Sequence, residues 1–224
     1  MQLAKPALDV GLYTNNLEPM LEFWQTEAQL PYTEMLPVGD GLRQYRHSIG
    51  DSVLKVNHTR HRLAPSPAAG YRQLTIACDE LGTATESSDP DGNAARFVPT
   101  GTDGITQLRL DLCVASVERH RAFYGDVLSL PEAEPALFEV GVSQISLSES
   151  DVNLDPEQRA PGYRYITMQV FDVKRTHADI LAKGGREGMA PVKLGDIAHI
   201  SFVRDPDGNW IEISQRKSII GSLD

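Results

Sequence analysis

The chain has 224 residues, with 21 Lys and Arg against 31 Asp and Glu for a formal charge of −10, and it is 41% hydrophobic and 23% charged. Those proportions suit one or two globular domains with a buried core and exclude a disordered, collagenous or disulfide-scaffold chain. The two cysteines, Cys78 and Cys113, are too few for a secreted framework, and with no signal peptide or bilayer-length apolar run the expectation is a cytoplasmic protein with no membrane partner. The acidic balance speaks against nucleic acid, which would be repelled outside a compact basic patch. The one basic run, Lys55 through Arg62, is short and reads as a solvated strand end and loop.

In chain order, the first unit opens with Asp9-Val10-Gly11-Leu12-Tyr13, followed by Leu17-Glu18, Phe23-Trp24 and Leu30-Pro31. The pattern returns 100 residues later as Arg109-Leu110-Asp111-Leu112-Cys113, Val117-Glu118, Phe123-Tyr124 and Leu130-Pro131. Gly70-Tyr71-Arg72 is echoed by Gly162-Tyr163-Arg164, and Asp-Pro-Asp-Gly-Asn stands at 89–93 and again at 205–209. The chain is therefore expected to be two similar halves, 1–104 and 105–224, each of two units. The interval from Asp79 to Asp89 is too short for a helix and two strands, so the second unit should lack its helix and middle strands.

The third unit reads most clearly. Leu108, Leu110, Leu112 and Val114 alternate with Arg109, Asp111 and Cys113, the period of a strand with one buried face. Ser116 suits an N-cap, and Val117, Phe123, Tyr124, Val127 and Leu128 follow at helical spacing. Short strands near 137–140 and 143–147 complete a β-α-β-β-β unit. After the loop 148–162 the fourth unit repeats that order. It has a strand over 165–170, a helix from about Val173 to Lys183 closed by Gly184-Gly185, and strands near 192–193, 199–203 and 210–214. The repeated Asp-Pro-Asp-Gly-Asn is turn chemistry: Pro presets φ, Asp caps its own backbone and Gly takes positive φ.

A β-α-β-β-β unit used four times, with DPDGNWIEI closing the last and SVERHRAFYGDVLSL opening the third, resembles the vicinal oxygen chelate superfamily. That group includes glyoxalase I, extradiol dioxygenases, fosfomycin-resistance enzymes and bleomycin-binding proteins. The resemblance implies an α+β fold in which paired units curve mixed sheets into a cup, with helices outside and a small molecule inside. It also implies a divalent metal ion held by His, Gln or Glu on first strands and Glu on last strands, and assembly as a homodimer. In this chain the first-strand positions hold Asp9, Gln73, Arg109 and Tyr165, and the last-strand positions Lys55, Arg96, Ser146 and Glu212. Glu212 matches the common ligand type at its own place, Asp9 and Gln73 could ligate in principle, and a cationic Arg109 or Arg96 repels a metal ion. The donors left for a metal are Glu212, His199, Asp9 and Gln73, so no cofactor is the expectation and a metal ion the alternative.

Two pairings of the units stay open. If units pair within each half, Arg109 faces Glu212; if unit one pairs with unit four, Asp9, Tyr165 and Glu212 converge beside Lys55. The complete second half is the expected ligand cup. Because Ala198, Ile200 and Phe202 suit the helix-covered face, His199 and Ser201 should point inward. Glu212, His199 and Tyr165 are the candidates for proton-transfer chemistry. Arg109 would hold an anionic or carbonyl oxygen, Trp210 and Tyr13 would stack on a planar body, and Cys113 and Gln169 complete the ligand-contacting set. His120 and His177 fall on helices and face away from the cup. The expected function is binding or sequestration of a small organic molecule, anionic if Arg109 reads it, or metal-independent proton transfer. The alternatives are a metal-dependent glyoxalase-like lyase, isomerase or extradiol-type dioxygenase, and a non-catalytic structural or regulatory subunit.

Overall fold

The computed structural model describes residues 1–152 and 154–223. Unit one runs β1 (Leu3–Thr14), α1 (Leu17–Glu22), β2 (Tyr32–Gly39), β3 (Leu42–Ile49) and β4 (Ser52–Thr59). Unit two is β5 (Tyr71–Cys78), β6 (Thr85–Ser88) and β7 (Ala94–Pro99). Unit three is β8 (Leu108–Val114), α2 (Val117–Ala122), β9 (Glu132–Glu134), β10 (Leu137–Val140) and β11 (Ser143–Glu149). Unit four is β12 (Gly162–Val170), α3 (Val173–Ala182), β13 (Arg186–Leu194), β14 (Ala198–Arg204) and β15 (Trp210–Arg216), followed by α4 (Lys217–Ile220). Among the described residues no helix is long and apolar enough to cross a membrane.

The repeat extends to backbone hydrogen bonds. After α1 and after α2 the chain widens into a π turn, Phe23–Glu27 and Phe123–Val127. Each turn is closed by equivalent bonds, Leu30 N to Trp24 O at 2.9 Å and Leu130 N to Tyr124 O at 3.0 Å. The aromatic pair at the head of each turn is buried and packs edge to face. The wider turn thus keeps both rings on the core side of a short helix.

The units pair crosswise. An eight-stranded sheet has the order β13-β14-β15-β12-β1-β4-β3-β2, and a seven-stranded sheet the order β6-β7-β5-β8-β11-β10-β9. Unit one joins unit four through antiparallel β1 and β12, and unit two joins unit three through β5 and β8. Each sheet therefore takes one unit from each half of the chain. Unit two has lost its helix as expected, but it keeps one short strand, β6, paired with β7. Leu8, Val10 and Leu12 of β1 share one continuous core with Leu108, Leu110 and Leu112 of β8, sealed by Trp24, Tyr124 and Ile180.

The repeated turns are structural. Asp205 accepts hydrogen bonds from Asp207 N, Asn209 N and Asn209 Nδ2, and Asp89 takes the same bonds from Asp91 and Asn93. The two turns differ in what covers them. Met20 of α1 is fully buried, whereas the equivalent residue of α2 is His120, also fully buried. Its Nδ1 donates to the Ser116 carbonyl at 2.9 Å, and its Nε2 lies 3.3 Å from Asp205 and 3.5 Å from Asp207. Burial opposes the charge, but the proximity of the Asp205 and Asp207 carboxylates and the bond to the Ser116 carbonyl outweigh it, so the imidazole titrates above its ordinary value. A raised native pKa means that this contribution is complete below the unfolded value of about 6.5 and is lost as pH climbs through the native one. Thermal melting of the wild type should therefore fall through that window, while His120→Met, which copies Met20, should melt with no such slope. Equal slopes in the two proteins would contradict this.

Candidate functional site

The cross-sheet register explains how the site assembles. Glu34, Arg46 and Lys55 are successive partners across β2, β3 and β4, so they share one face of the sheet. One row along, Asp9 pairs with Thr167 and Thr167 with Glu212. The sheet rolls until Arg216 of β15 reaches Glu34 of the edge strand β2, with Nη2 3.0 Å from Oε1. The roll encloses a cavity of about 510 Å³. Its walls are largely apolar, with Leu36 and Val38 on one rim, Val192, Leu194 and Ile197 on the other, and Ile200 and Phe202 between them and the floor.

The floor is polar and charged. Lys55, buried at 3% exposure, donates to Thr167 Oγ1 at 2.6 Å and to Glu212 Oε2 at 2.9 Å, and its Nζ lies 3.9 Å from Asp9 Oδ2. Thr167 Oγ1 in turn donates to Glu212 Oε2 at 2.6 Å. Asp9 is fully buried, paired with Lys5, and accepts from Val53 N at 3.0 Å. Burial pulls the Lys55 pKa down, opposed by the charges of Glu212 and Asp9. The third ammonium hydrogen of Lys55 has no acceptor within hydrogen-bond reach among the described residues.

Tyr165 forms the adjoining wall. Its hydroxyl accepts from Asn57 Nδ2 at 3.1 Å and from Gln44 Nε2 at 3.4 Å, and the Lys55 ammonium sits 5.5 Å from its ring centre. Burial, reinforced by Tyr13 and Glu212, holds the phenol well above its usual pKa, so it is a neutral O–H donor at neutral pH. The ring lies flat against the β1 backbone at Gly11, where a Cβ would fall among the ring carbons. That is the close approach for which a strand spends a glycine. Gly11→Ala should force the ring out, destabilise the protein by about 1–3 kcal/mol and weaken any ligand of the cavity. A crystal structure of the variant with the Tyr165 ring unmoved would contradict the assignment.

Several residues singled out from the sequence meet in this cavity. Glu212, Tyr165, Gln169 and Tyr13 line it, and the Gln169 Oε1 is buried without a partner. Burial pushes the Tyr13 phenol up to about 12. Trp210 belongs to the apolar cluster of Tyr13, Tyr165 and Phe202 inside the cup, but its Nε1 is tied to Pro156 O at 2.8 Å and Arg204 stacks on its ring at 4.2 Å.

Others lie elsewhere. Arg109 and Cys113 stand on β8 of the second sheet, where Arg109 donates to Gln144 and the Asp103 carbonyl and Cys113 contacts Ser148. Neither shares a site with Glu212, because the cup joins units one and four rather than units three and four. Gln73 also belongs to the second sheet, paired with Asp111. His199 is corrected as well: Ala198, Ile200 and Phe202 line the cavity, so His199 and Ser201, alternating with them, turn to the helix-covered face. The apolar residues that suggested a core face are the walls of the cavity.

Sequence reasoning missed Gly11, Gln44, Arg46, Thr167 and Arg216. A signal for part of this set was present: Lys55, Asn57 and Thr59 alternate along β4 and deliver the polar half of the basic run to one face. The isolated glycine of β1 was a second signal.

The pairing also locates the positions at which the resemblance places a metal ion. Lys55 pairs with Gly11 and Glu212 with Thr167, while Asp9 pairs with Thr167 and Tyr165 with Gly11. The two units are thus related by a two-fold axis that groups Asp9, Lys55, Tyr165 and Glu212. This donor set does not fit a divalent ion, because the Lys55 ammonium already lies between the two carboxylates and a neutral phenol is the fourth group. Among the described residues no group of three or more His, Cys, Asp and Glu side chains is arranged to hold a metal ion.

Comparison with known proteins places this geometry in context. Residues 104–213 match the Glyoxalase/Bleomycin resistance protein/Dioxygenase superfamily. A probable lactoylglutathione lyase of Vibrio cholerae is 40% identical over 70 residues, which are 30% of this chain and 49% of that protein. This match spans about half the length of the relative. Glyoxalase I from Zea mays superposes with a TM-score of 0.76 at 15% identity, covering 97% of each chain. A putative dioxygenase from Bacillus subtilis gives 0.70 at 11% identity, over 93% of this chain and 84% of that one. At these identities the likeness is one of fold.

Proposed function

We propose, for a chain that belongs to the glyoxalase/bleomycin resistance/dioxygenase (vicinal oxygen chelate) superfamily, that it binds a small, oxygen-bearing organic molecule in the cup between units one and four without a metal ion. Members of this superfamily typically use a divalent metal. The observation that carries the reading is Lys55, whose ammonium stands 2.9 Å from Glu212 and 3.9 Å from Asp9 on the floor of the cavity. A cation on a fixed stem supplies one positive charge to a ligand oxygen where a metal ion would supply two.

The chemistry available follows from the free hydrogen-bonding groups. A carbonyl oxygen of the ligand takes the third Lys55 N–H and the Tyr165 O–H, two donors that stabilise negative charge developing on that oxygen. Glu212 uses Oε2 for Lys55 and Thr167, which leaves Oε1 to accept a proton from the adjacent carbon and return it. The cup thus supports sequestration of a carbonyl compound or a proton shift next to its carbonyl. The 40% identity to a probable lactoylglutathione lyase favours a second reading, a metal-dependent lyase, which requires Lys55 to leave the carboxylates.

A thermal-shift screen of α-hydroxy ketones and 2-oxo acids, run with and without chelator, separates the two. The first reading expects stabilisation that survives chelator and is lost in Tyr165→Phe. A ligand at about 100 times its Kd would add about 2.7 kcal/mol. Stabilisation that disappears with chelator supports the lyase.

A further inference from the structure

Two arginines in the cavity share one carboxylate oxygen. Arg46 is 7% exposed, and its Nε lies 3.2 Å from Glu34 Oε1, while Arg216 Nη2 donates to the same oxygen at 3.0 Å. Glu34 itself is on the edge strand with its side chain 45% exposed, whereas that of Arg216 is 15% exposed. The arginines are thus set in the walls and their counter-ion is on the rim. Arg46 also donates to Gln44 Oε1 at 2.9 Å and Arg216 to Ser218 Oγ at 3.1 Å, bonds that fix both guanidinium planes.

The charge count points the same way. Lys5 occupies Asp9 beneath the floor, and Arg159 and Asp40 pair with each other at the mouth at 3.1 Å. With Lys5 counted against Asp9, which also lies 3.9 Å from Lys55, the cations Arg46, Lys55 and Arg216 are set against Glu212 and Glu34 among the described residues, which leaves one positive charge in a half-closed apolar space. Such a surplus favours an anion. Burial and the nearby Arg46 lower the Arg216 pKa, the direction expected when two guanidinium groups want a further negative partner.

We infer that the cavity reads an anionic group, a carboxylate or phosphate of its ligand, between Arg46 and Arg216, and that Glu34 is the resident counter-ion this group displaces to solvent. Guanidinium pairs bind such planar or tetrahedral oxygens through charge-assisted bonds. The remaining apolar body lies against Val192, Leu194 and Ile200. This inference rests on the small-molecule reading of the cup and adds the chemical class of its ligand.

The test uses matched probes, namely benzoate, its neutral isostere benzamide, and phenyl phosphate. Binding is measured by calorimetry and by the Arg Nε–H signals in NMR spectra of the whole chain. Benzoate or phenyl phosphate should bind about tenfold more tightly than benzamide, and the preferred one identifies carboxylate or phosphate as the anion. Glu34→Gln should tighten the anion about threefold or more by removing its competitor. Arg216→Gln should erase the preference for the anion over benzamide, and Arg46→Gln serves where the first variant fails to fold. Benzamide binding as well as the anions, or weaker anion binding in Glu34→Gln, overturns the anion site and leaves the small-molecule reading standing. No saturable binding of any probe overturns both.

Discussion

Lys55→Met is expected to destabilise the protein by about 3–5 kcal/mol, the usual effect of removing one partner of a buried ion pair. The reason is local. Glu212 and Asp9 are 9% and 0% exposed, so both carboxylates are largely withdrawn from bulk water when the cation goes. Lys5 still compensates Asp9, but among the described residues Glu212 keeps only the Thr167 hydroxyl. Adding Glu212→Gln should recover much of the loss, since a neutral amide needs no counter-ion. In a thermodynamic cycle the double variant should be markedly more stable than the sum of the two single changes allows. Additive losses would show that Lys55 and Glu212 do not act as a pair.

The second large effect is a gain. In Lys55→Glu the floor would carry Asp9, Glu212 and the introduced carboxylate, with Lys5 left on the far oxygen of Asp9 and no cation at the position of the Lys55 ammonium, a group of acids that repel one another unless an ion is bound. The variant should be unstable alone and regain stability with Mn(II), Ni(II) or Zn(II), by RT ln(1 + [L]/Kd), or about 2.7 kcal/mol at 100 times its Kd. The wild type should show no comparable rise. Differential scanning calorimetry with and without metal reads both, and a variant that stays insensitive to all three ions would mean that Lys55 does not occupy the metal position.

Much of the fold was legible because its cues are local. The alternation of Leu108, Leu110, Leu112 and Val114, the Ser116 cap and the repeated Asp-Pro-Asp-Gly-Asn turns each fix a short segment, and the structure places strand, helix and turn there. The cap bond from Arg119 N to Ser116 Oγ is present at 3.4 Å. The pairing of the units was not legible. It depends on β1 meeting β12, a contact between segments far apart in the chain, and the two similar halves present equivalent first strands that suit either arrangement.

That ambiguity decided the fate of the site residues. Arg109 and Glu212 stand at ligand positions of neighbouring units in the chain, so only the pairing could say that they belong to different sheets. His199 failed for another reason. Alternation tells which residues share a face, but both faces of β14 meet apolar surroundings, one the helix-side core and one the cavity wall, so hydrophobicity could not tell them apart. Ile200 and Phe202 look like core because a cup for an organic ligand is built from the same residue types. Tyr165 and Glu212 were legible because both belong to unit four, so they share one cup whichever unit supplies the rest.

The chemistry of the cup depends on what fills the space between Asp9 and Glu212. Metal content by elemental analysis, on tag-free protein purified without chelator and then exposed to Fe(II), Ni(II), Zn(II) and Mn(II), addresses it most directly. With the Lys55 ammonium in place, no near-stoichiometric metal should be retained after desalting. One metal ion per chain, lost in Glu212→Ala, would contradict a metal-free cup and favour the metal-dependent reading.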